Sequence, residues 1–143
     1  MKIGFTLKPN NGNILDFEKQ LSYLESIEAN CAEIPLYELD VVSGKKIIKD
    51  ELNLLNNIIK NSNLKFSIHG SMSVNLLDED YLSDHIEVLK KEIEVCSALN
   101  INILVTHFGH TPIEVSKNAQ KYEDLIKIQK EEYFKMAEIA KKN

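Results

Sequence analysis

INILVTHF, residues 101–108, is an almost unbroken run of apolar residues that ends near a histidine. Its length and its β-branched residues are typical of a buried strand. Three earlier segments share this character: KIGFTL (2–7), CAEIPL (31–36) and KFSIHG (65–70). The sequence therefore predicts four strands, with successive strands starting about 30 to 36 residues apart.

Apolar residues recur at helical spacing after each of these strands. The positions that predict the four helices are Leu15, Phe17, Leu21, Leu24 and Ile27; Ile47, Ile48, Leu52, Leu55, Ile58 and Ile59; Leu82, Ile86, Leu89, Ile93 and Cys96; and Tyr122, Leu125, Ile126, Tyr133, Met136 and Ile139. We expect Ser43 to cap the second helix and the last helix to cover about residues 117–142.

Strands that alternate with helices predict parallel βαβ units with right-handed crossovers. Four such units form either a flavodoxin-like open sheet or half of a closed barrel. The segment after the first strand, FTLKPNNGN (5–13), has neither a P-loop nor a dinucleotide fingerprint, which argues against nucleotide binding.

Length and composition limit the class of protein. A chain of 143 residues predicts a single domain, here residues 1–143. A net charge of −5 gives no general attraction to nucleic acid or to an anionic membrane. From its start, MKIGFTLKP, we expect no signal peptide. No apolar run is long enough to span a bilayer. With only two cysteines, Cys31 and Cys96, we expect a cytoplasmic protein without disulfide bonds.

Two histidines end neighbouring predicted strands, His69 the third and His107 the fourth. In parallel α/β folds, functional side chains gather at the C-terminal ends of the strands, and adjacent strands lie about 4.8 Å apart. The pair is therefore predicted to share one metal ion or to flank one ligand. The alternative is a pair of structural histidines bonded to backbone. His110 is expected to be a solvated loop histidine, and His85 a structural or surface residue.

Glu33 lies within the second predicted strand, where a buried carboxylate is costly unless it is paired. It is predicted either to bind a histidine or a substrate hydroxyl, or to form a structural salt bridge. Asn75 follows the third strand and is predicted either to reach the same site or to form a turn. Tyr37 belongs to a segment expected to be a solvated, acidic loop.

The order and spacing of these segments resemble the xylose-isomerase-like TIM barrel superfamily. It includes sugar-phosphate isomerases and epimerases and the type IV apurinic endonucleases. The segments that carry the resemblance are MKIGFTL (1–7), AEIPLYEL (32–39), FSIHGSMSVNL (66–76) and ILVTHFGH (103–110). The resemblance implies a parallel (β/α)4 half of a TIM (β/α)8 barrel, and specifically the N-terminal half.

In the endonuclease branch, the resemblance makes His69 and His107 zinc ligands. This chain departs from that branch in two ways: Met72 replaces an aromatic residue, and the loop LYELDVVSG (36–44) is acidic rather than basic. In the isomerase and epimerase branch, the catalytic carboxylates and most metal ligands come from later strands. There Glu33, His69, His107 and Asn75 would bind substrate.

The sequence thus predicts the N-terminal half of a divalent-metal-dependent sugar or sugar-phosphate isomerase or epimerase. Zn, Mn or Mg is the expected metal, with His69 and His107 as its ligands here, and a small sugar is the expected substrate. The chain alone is expected to be inactive. Two alternatives remain: a zinc-dependent apurinic endonuclease-like phosphodiesterase, and a non-catalytic half-barrel that dimerises. The partner is either a second copy or the C-terminal half; nucleic acid and membranes are not expected partners.

Overall fold

The computed structural model describes residues 3–142. The strands and helices in chain order are β1 (Gly4–Thr6), α1 (Ile14–Ser26), β2 (Cys31–Pro35), β3 (Val42–Ser43), β4 (Lys46–Ile47), α2 (Lys49–Lys60), β5 (Lys65–His69), α3 (Leu82–Ala98), β6 (Leu104–Val105), α4 (Ile113–Ser116) and α5 (Ala119–Ala140). Short 3₁₀ turns cover Asn10–Gly12 and Leu36–Glu38.

The main sheet has four parallel strands in the order β1-β2-β5-β6. Each consecutive pair is joined by a connection that contains a helix, as the alternation of strands and helices predicts. The parallel α/β fold class predicted from the sequence is therefore confirmed.

One face of this sheet packs against the helices and forms the core. Ile34 of β2 and Ile68 of β5 are fully buried there against Phe17 of α1 and Leu55 of α2. The opposite face carries the alternate residues of each strand and remains open, with Ile103 57% exposed. The sheet is thus buried on one side only, whereas all-parallel sheets are normally covered on both.

The second predicted helix was wrong at its start. Ser43 does not cap a helix; it lies in β3, which pairs with β4 in a small antiparallel hairpin. Gly44 and Lys45 both have positive φ, at 53° and 63°, the backbone that a tight two-residue hairpin turn requires. Because the hairpin uses the chain through Ile47, helix α2 begins only at Lys49.

The fourth predicted strand and the last predicted helix have different bounds in the structure. The fourth strand is confined to Leu104–Val105, although Ile103 still accepts a hydrogen bond from the Ile68 amide (2.9 Å). The last predicted helix corresponds to α5, which begins at Ala119 because the side chain of Asn118 caps its start through the Lys121 amide (3.1 Å); the short helix α4 precedes the predicted range. The described helices include none long and apolar enough to span a bilayer.

Candidate functional site

The open face of the sheet brings together side chains from three neighbouring strands, β2, β5 and β6, or from the residues just after them. Strand register aligns Glu33 with Ser67, and Pro35 with His69 and Val105. Because residues two apart on a strand share a face, Glu33 and His69 point to the same side of the sheet. His107 follows β6 by two residues and continues the same alternation.

Glu33 and His69 are directly bonded. Nδ1 of His69 lies 2.8 Å from Oε1 of Glu33, and both side chains are largely buried. The same carboxylate oxygen accepts a hydrogen bond from the Thr6 hydroxyl of β1 at 2.9 Å. The carboxylate predicted to be costly within a strand is therefore paired by side chains from both neighbouring strands.

This pairing sets the charge of Glu33. Burial by itself raises the pKa of the carboxyl, but the hydrogen bonds from His69 and Thr6 outweigh it and leave the pKa below its ordinary value. Glu33 is therefore an anion at neutral pH, and it accepts a hydrogen bond from the Nδ1–H of His69.

The two strand-end histidines also contact each other. Nε2 of His69 lies 3.0 Å from Nε2 of His107, with the ring centroids 5.1 Å apart. When His69 is neutral and its Nδ1–H faces Glu33, its Nε2 has a lone pair and accepts a hydrogen bond from the Nε2–H of His107. Glu33, His69 and His107 thus form one hydrogen-bonded row across the sheet, as the strand-end placement predicts; we call it the inner row.

Helix α5 and the loop after β5 hold the backbone that follows β6. The Tyr133 hydroxyl donates to the His107 carbonyl at 2.7 Å, and the Gln129 side-chain amide donates to the Phe108 carbonyl. Asn75 donates to the His110 carbonyl (2.9 Å) and accepts from the His110 amide (3.1 Å). The loop that delivers His107 is therefore fixed at consecutive backbone groups.

Asn75 is buried, and its side chain also accepts a hydrogen bond from the Leu77 amide at 3.1 Å. The turn-forming interpretation of Asn75 accounts for these contacts, and a role in substrate binding stays a prediction. The side chain of His110 is exposed, as expected for a loop histidine.

Tyr37 is a site residue that the sequence interpretation underrated. Its ring meets His69 edge-on, with centroids 5.3 Å apart. It stands two residues after β2, so the rule that placed His107 also applies to it. The surrounding acidic residues suggested a solvated loop and concealed this aromatic side chain.

Below the inner row, a shallow depression of about 220 Å³ opens on the sheet face. Thr6, Glu33 and Ser67 supply its polar lining, and Gly4, which has no side chain, and Cys31 also line it. A small polar molecule fits a depression of this size and polarity.

The donor atoms of the inner row suit a metal ion in part. Imidazole nitrogens bind zinc and similar ions, and a histidine ligand commonly donates its other ring N–H to a carboxylate, as His69 does to Glu33. However, among residues 3–142 no group of three or more His, Cys, Asp or Glu side chains is arranged to hold a metal ion. The pair of histidines thus offers two ligands of an incomplete set.

No protein-family model matches the chain, and no curated protein shows significant sequence similarity to it. Solved structures do match its fold. A candidate xylose isomerase from Rhodospirillum rubrum ATCC 11170 aligns with a TM-score of 0.82 and 16% identity, covering 99% of this chain and 51% of that chain. A D-tagatose 3-epimerase-like protein aligns with a TM-score of 0.74 and 16% identity, covering 99% and 49%.

A xylose isomerase domain protein from Planctomyces limnophilus also aligns, with a TM-score of 0.63 and 10% identity over 96% of this chain and 51% of that one. The chain thus spans about half the length of each of these proteins. At such low identity the likeness concerns the fold. Together with the parallel four-stranded sheet, these alignments show that the chain has the fold of half a xylose-isomerase-like barrel.

Proposed function

We propose that the chain is the N-terminal half of a divalent-metal-dependent sugar or sugar-phosphate isomerase or epimerase. The observation that carries this proposal is the inner row, Glu33–His69–His107, on the open face of the sheet. In (β/α)8 barrels, substrates bind at the C-terminal ends of the strands, where this row lies. Solved proteins with this fold are named for xylose isomerisation and D-tagatose 3-epimerisation, which supports a small sugar as substrate.

His69 and His107 are the residues that would hold the metal. Of the three metals expected, zinc suits two imidazole nitrogens best, because manganese and magnesium favour oxygen ligands. A divalent cation supplies polarisation of the substrate oxygens when bound.

The residues of the inner row have separate tasks in this proposal. Glu33 keeps the His69 ring oriented and fixes its proton on Nδ1. His107 then presents its ring toward the open face, and Tyr133 holds the His107 backbone carbonyl. Glu33 is already bonded to His69 and Thr6, so the base that removes a proton beside the substrate carbonyl is expected from other strands.

Those other strands would come from a second half-barrel. The open face has Ile103 and Val105 exposed, and β1 and β6 have unpaired edges that a closed barrel would pair. Either a C-terminal half or a second copy of this chain would complete eight strands. We expect the chain alone to bind ligands weakly and to catalyse no turnover.

The endonuclease alternative shares the histidine pair His69 and His107 as zinc ligands, but two features of the chain weigh against it. Met72 is exposed where that branch has an aromatic residue, and the loop over residues 36–44 is acidic. Measured binding to abasic duplex DNA at physiological salt would revive it.

A cytoplasmic location also remains a prediction; both cysteines are free, which agrees with it.

The test is titration of the purified chain with zinc chloride, followed by isothermal calorimetry and by NMR of the imidazole nitrogens. We expect one zinc site that His69→Ala and His107→Ala each abolish. His85→Ala is the matched control, because His85 lies on α3 outside the inner row, and zinc binding should survive it. Equal zinc binding in all four proteins would refute the assignment of the metal ligands.

A second titration, with D-xylose and D-tagatose as probes, tests the substrate class. We expect the sugar to shift the NMR signals of His69 and His107 and to leave His85 unchanged. No shift in any of these signals at high sugar concentration would count against a sugar site in this half.

A further inference from the structure

Helix α3 carries a carboxyl group that is buried behind the inner row. Glu92 is 1% exposed, less than most of the apolar core. Its Oε1 accepts a short hydrogen bond from the Ser71 amide, at 2.6 Å, whereas its Oε2 is buried with no hydrogen-bond partner among the described residues. A buried carboxyl with one satisfied and one unsatisfied oxygen requires a physical explanation.

The position of Glu92 relates it to the end of β5. A Cβ atom on Gly70 would lie 2.5 Å from Oε2 of Glu92, closer than atoms of that kind approach. Gly70 itself donates its amide to the Val105 carbonyl at 2.9 Å, which extends the pairing of β5 with β6. The carboxyl therefore occupies the space that a side chain at position 70 would fill, directly after His69.

The charge state of Glu92 follows from the same surroundings. An ionised carboxylate with an unbonded oxygen in this position would be strongly disfavoured. Burial raises the pKa of Glu92, and the hydrogen bond from Ser71 and the influence of His69 only partly offset that effect. The group is accordingly suited to carry a proton on Oε2 and to act through Oε1 as an acceptor.

We propose that Glu92 is the positioning residue for His69. It holds the Ser71 amide and packs against Gly70, so it fixes the two residues that follow His69 on the chain. Fixing this segment keeps the His69 ring where it reaches both Glu33 and His107. The proposal concerns the geometry of the inner row and holds whether or not that row binds a metal or a sugar.

A residue that merely fills the core would behave differently from a positioning residue. Glu92→Gln keeps an acceptor for Ser71, stays neutral and has almost the same shape. Glu92→Ala removes the acceptor and leaves the Ser71 amide unbonded. Leu89→Ala, on the same helix and equally buried, removes packing without touching Ser71, and serves as the control.

The experiment is NMR of the ¹⁵N-labelled imidazoles, read together with urea unfolding of each variant. We expect Glu92→Gln to leave the His69 and His107 signals in place. Glu92→Ala should shift both signals, whereas Leu89→Ala should lower the unfolding midpoint and leave them in place. Histidine signals that move equally in the Glu92→Ala and Leu89→Ala proteins, or that move in Glu92→Gln, would overturn the proposal.

A double-mutant cycle tests the contact between Glu92 and position 70 independently of the histidine signals. Gly70→Ala should lower the unfolding midpoint markedly in the native background, because its new Cβ meets Oε2 of Glu92. In the Glu92→Ala background the same change should cost less. An equal cost in both backgrounds would show that the carboxyl does not contact position 70, and the proposal would fail.

Discussion

Glu33 offers the most quantitative test of the inner row. Its carboxylate accepts hydrogen bonds from His69 at 2.8 Å and from Thr6 at 2.9 Å. A hydrogen bond to a charged group contributes about 1.5–3 kcal/mol and a neutral one about 0.5–1.5 kcal/mol. Glu33→Gln keeps an acceptor but removes the charge, so we expect it to lower the free energy of unfolding by about 1 kcal/mol at neutral pH.

Glu33→Ala removes both bonds and should cost about 2 kcal/mol, since water reaches the site in part and replaces some of the lost bonding. The metal affinity of the histidine pair should fall by about 10- to 100-fold in the alanine variant, as expected when the partner of a histidine ligand is lost. Urea unfolding followed by circular dichroism measures the first quantity, and zinc calorimetry measures the second.

The contribution of Glu33 to the free energy of unfolding should depend on pH in a definite direction. Because the pKa of Glu33 is below its ordinary value, its stabilisation is complete above the unfolded-state pKa and is lost as pH falls through the lowered folded-state value. The difference between the native chain and Glu33→Gln should therefore shrink in acid. Glu18→Gln is the control, because Glu18 is an exposed residue of α1. The reasoning is refuted if Glu33→Gln and Glu18→Gln unfold alike at neutral pH.

Three other outcomes are expected. Tyr133→Phe should lower the free energy of unfolding by about 0.5–1.5 kcal/mol by removing the bond to the His107 carbonyl; in urea unfolding, Tyr23→Phe, 64% exposed on α1, should change nothing. Ile103→Lys should reduce concentration-dependent self-association measured by sedimentation velocity, because Ile103 is exposed on the open face; a native chain that sediments as a monomer at every concentration would contradict completion of the barrel by a second copy. Glu92→Gln should gain stability relative to the native chain as pH rises. The pKa of Glu92 is raised in the folded state, so the stabilisation that its protonated carboxyl contributes is complete below the unfolded-state pKa. That stabilisation is lost as pH rises through the folded-state pKa.

Two titratable groups near Glu92, His69 and Cys96, bear on this pH dependence. Burial raises the pKa of Glu92, and Ser71 and His69 only partly offset it. Burial, and after it the nearby Glu92, raise the pKa of the Cys96 thiol to about 12. The thiol therefore stays neutral through the range of the experiment. A native chain and a Glu92→Gln chain with parallel stability curves would show that Glu92 does not change its ionisation on folding.

The sequence predicted four parallel strands and the meeting of His69 with His107 because both depend on a regular repeat. Four apolar runs at similar spacing allow few arrangements other than a parallel sheet. Once the sheet is parallel, the ends of adjacent strands lie within reach of each other. Glu33 followed from the same alternation along β2.

The sequence did not reveal the β3–β4 hairpin, since its two-residue strands are too short to show a period. Ile47 and Ile48 fitted the helical spacing of α2, and only the positive φ angles at Gly44 and Lys45 exclude the helix there. The spacing of apolar residues does not indicate such a local backbone conformation.

Glu92 was missed for a different reason. It lies in the charged segment KKEIEV (90–95), where alternating lysine and glutamate residues usually indicate a solvated helix face. Lys91 and Glu94 do form an exposed pair there, with nitrogen and oxygen 2.6 Å apart. Three residues after Leu89, however, position 92 returns to the buried face, so the burial of its carboxyl depends on the contact of α3 with the end of β5.

These observations together divide the candidate site into two layers. The open face carries Glu33, His69 and His107, which can meet a ligand, while Glu92 and Tyr133 hold their strand ends from the helix side. Each layer lies within the described residues of this chain, and neither requires a second half-barrel for its geometry. It follows that a second half, whether a C-terminal segment or another copy, should supply further ligands and a base without being needed to bring the two histidines together. A second half that moved His69 and His107 into a new arrangement would refute this conclusion. The orientation of the inner row would then depend on the closed barrel and not on the contacts within this chain.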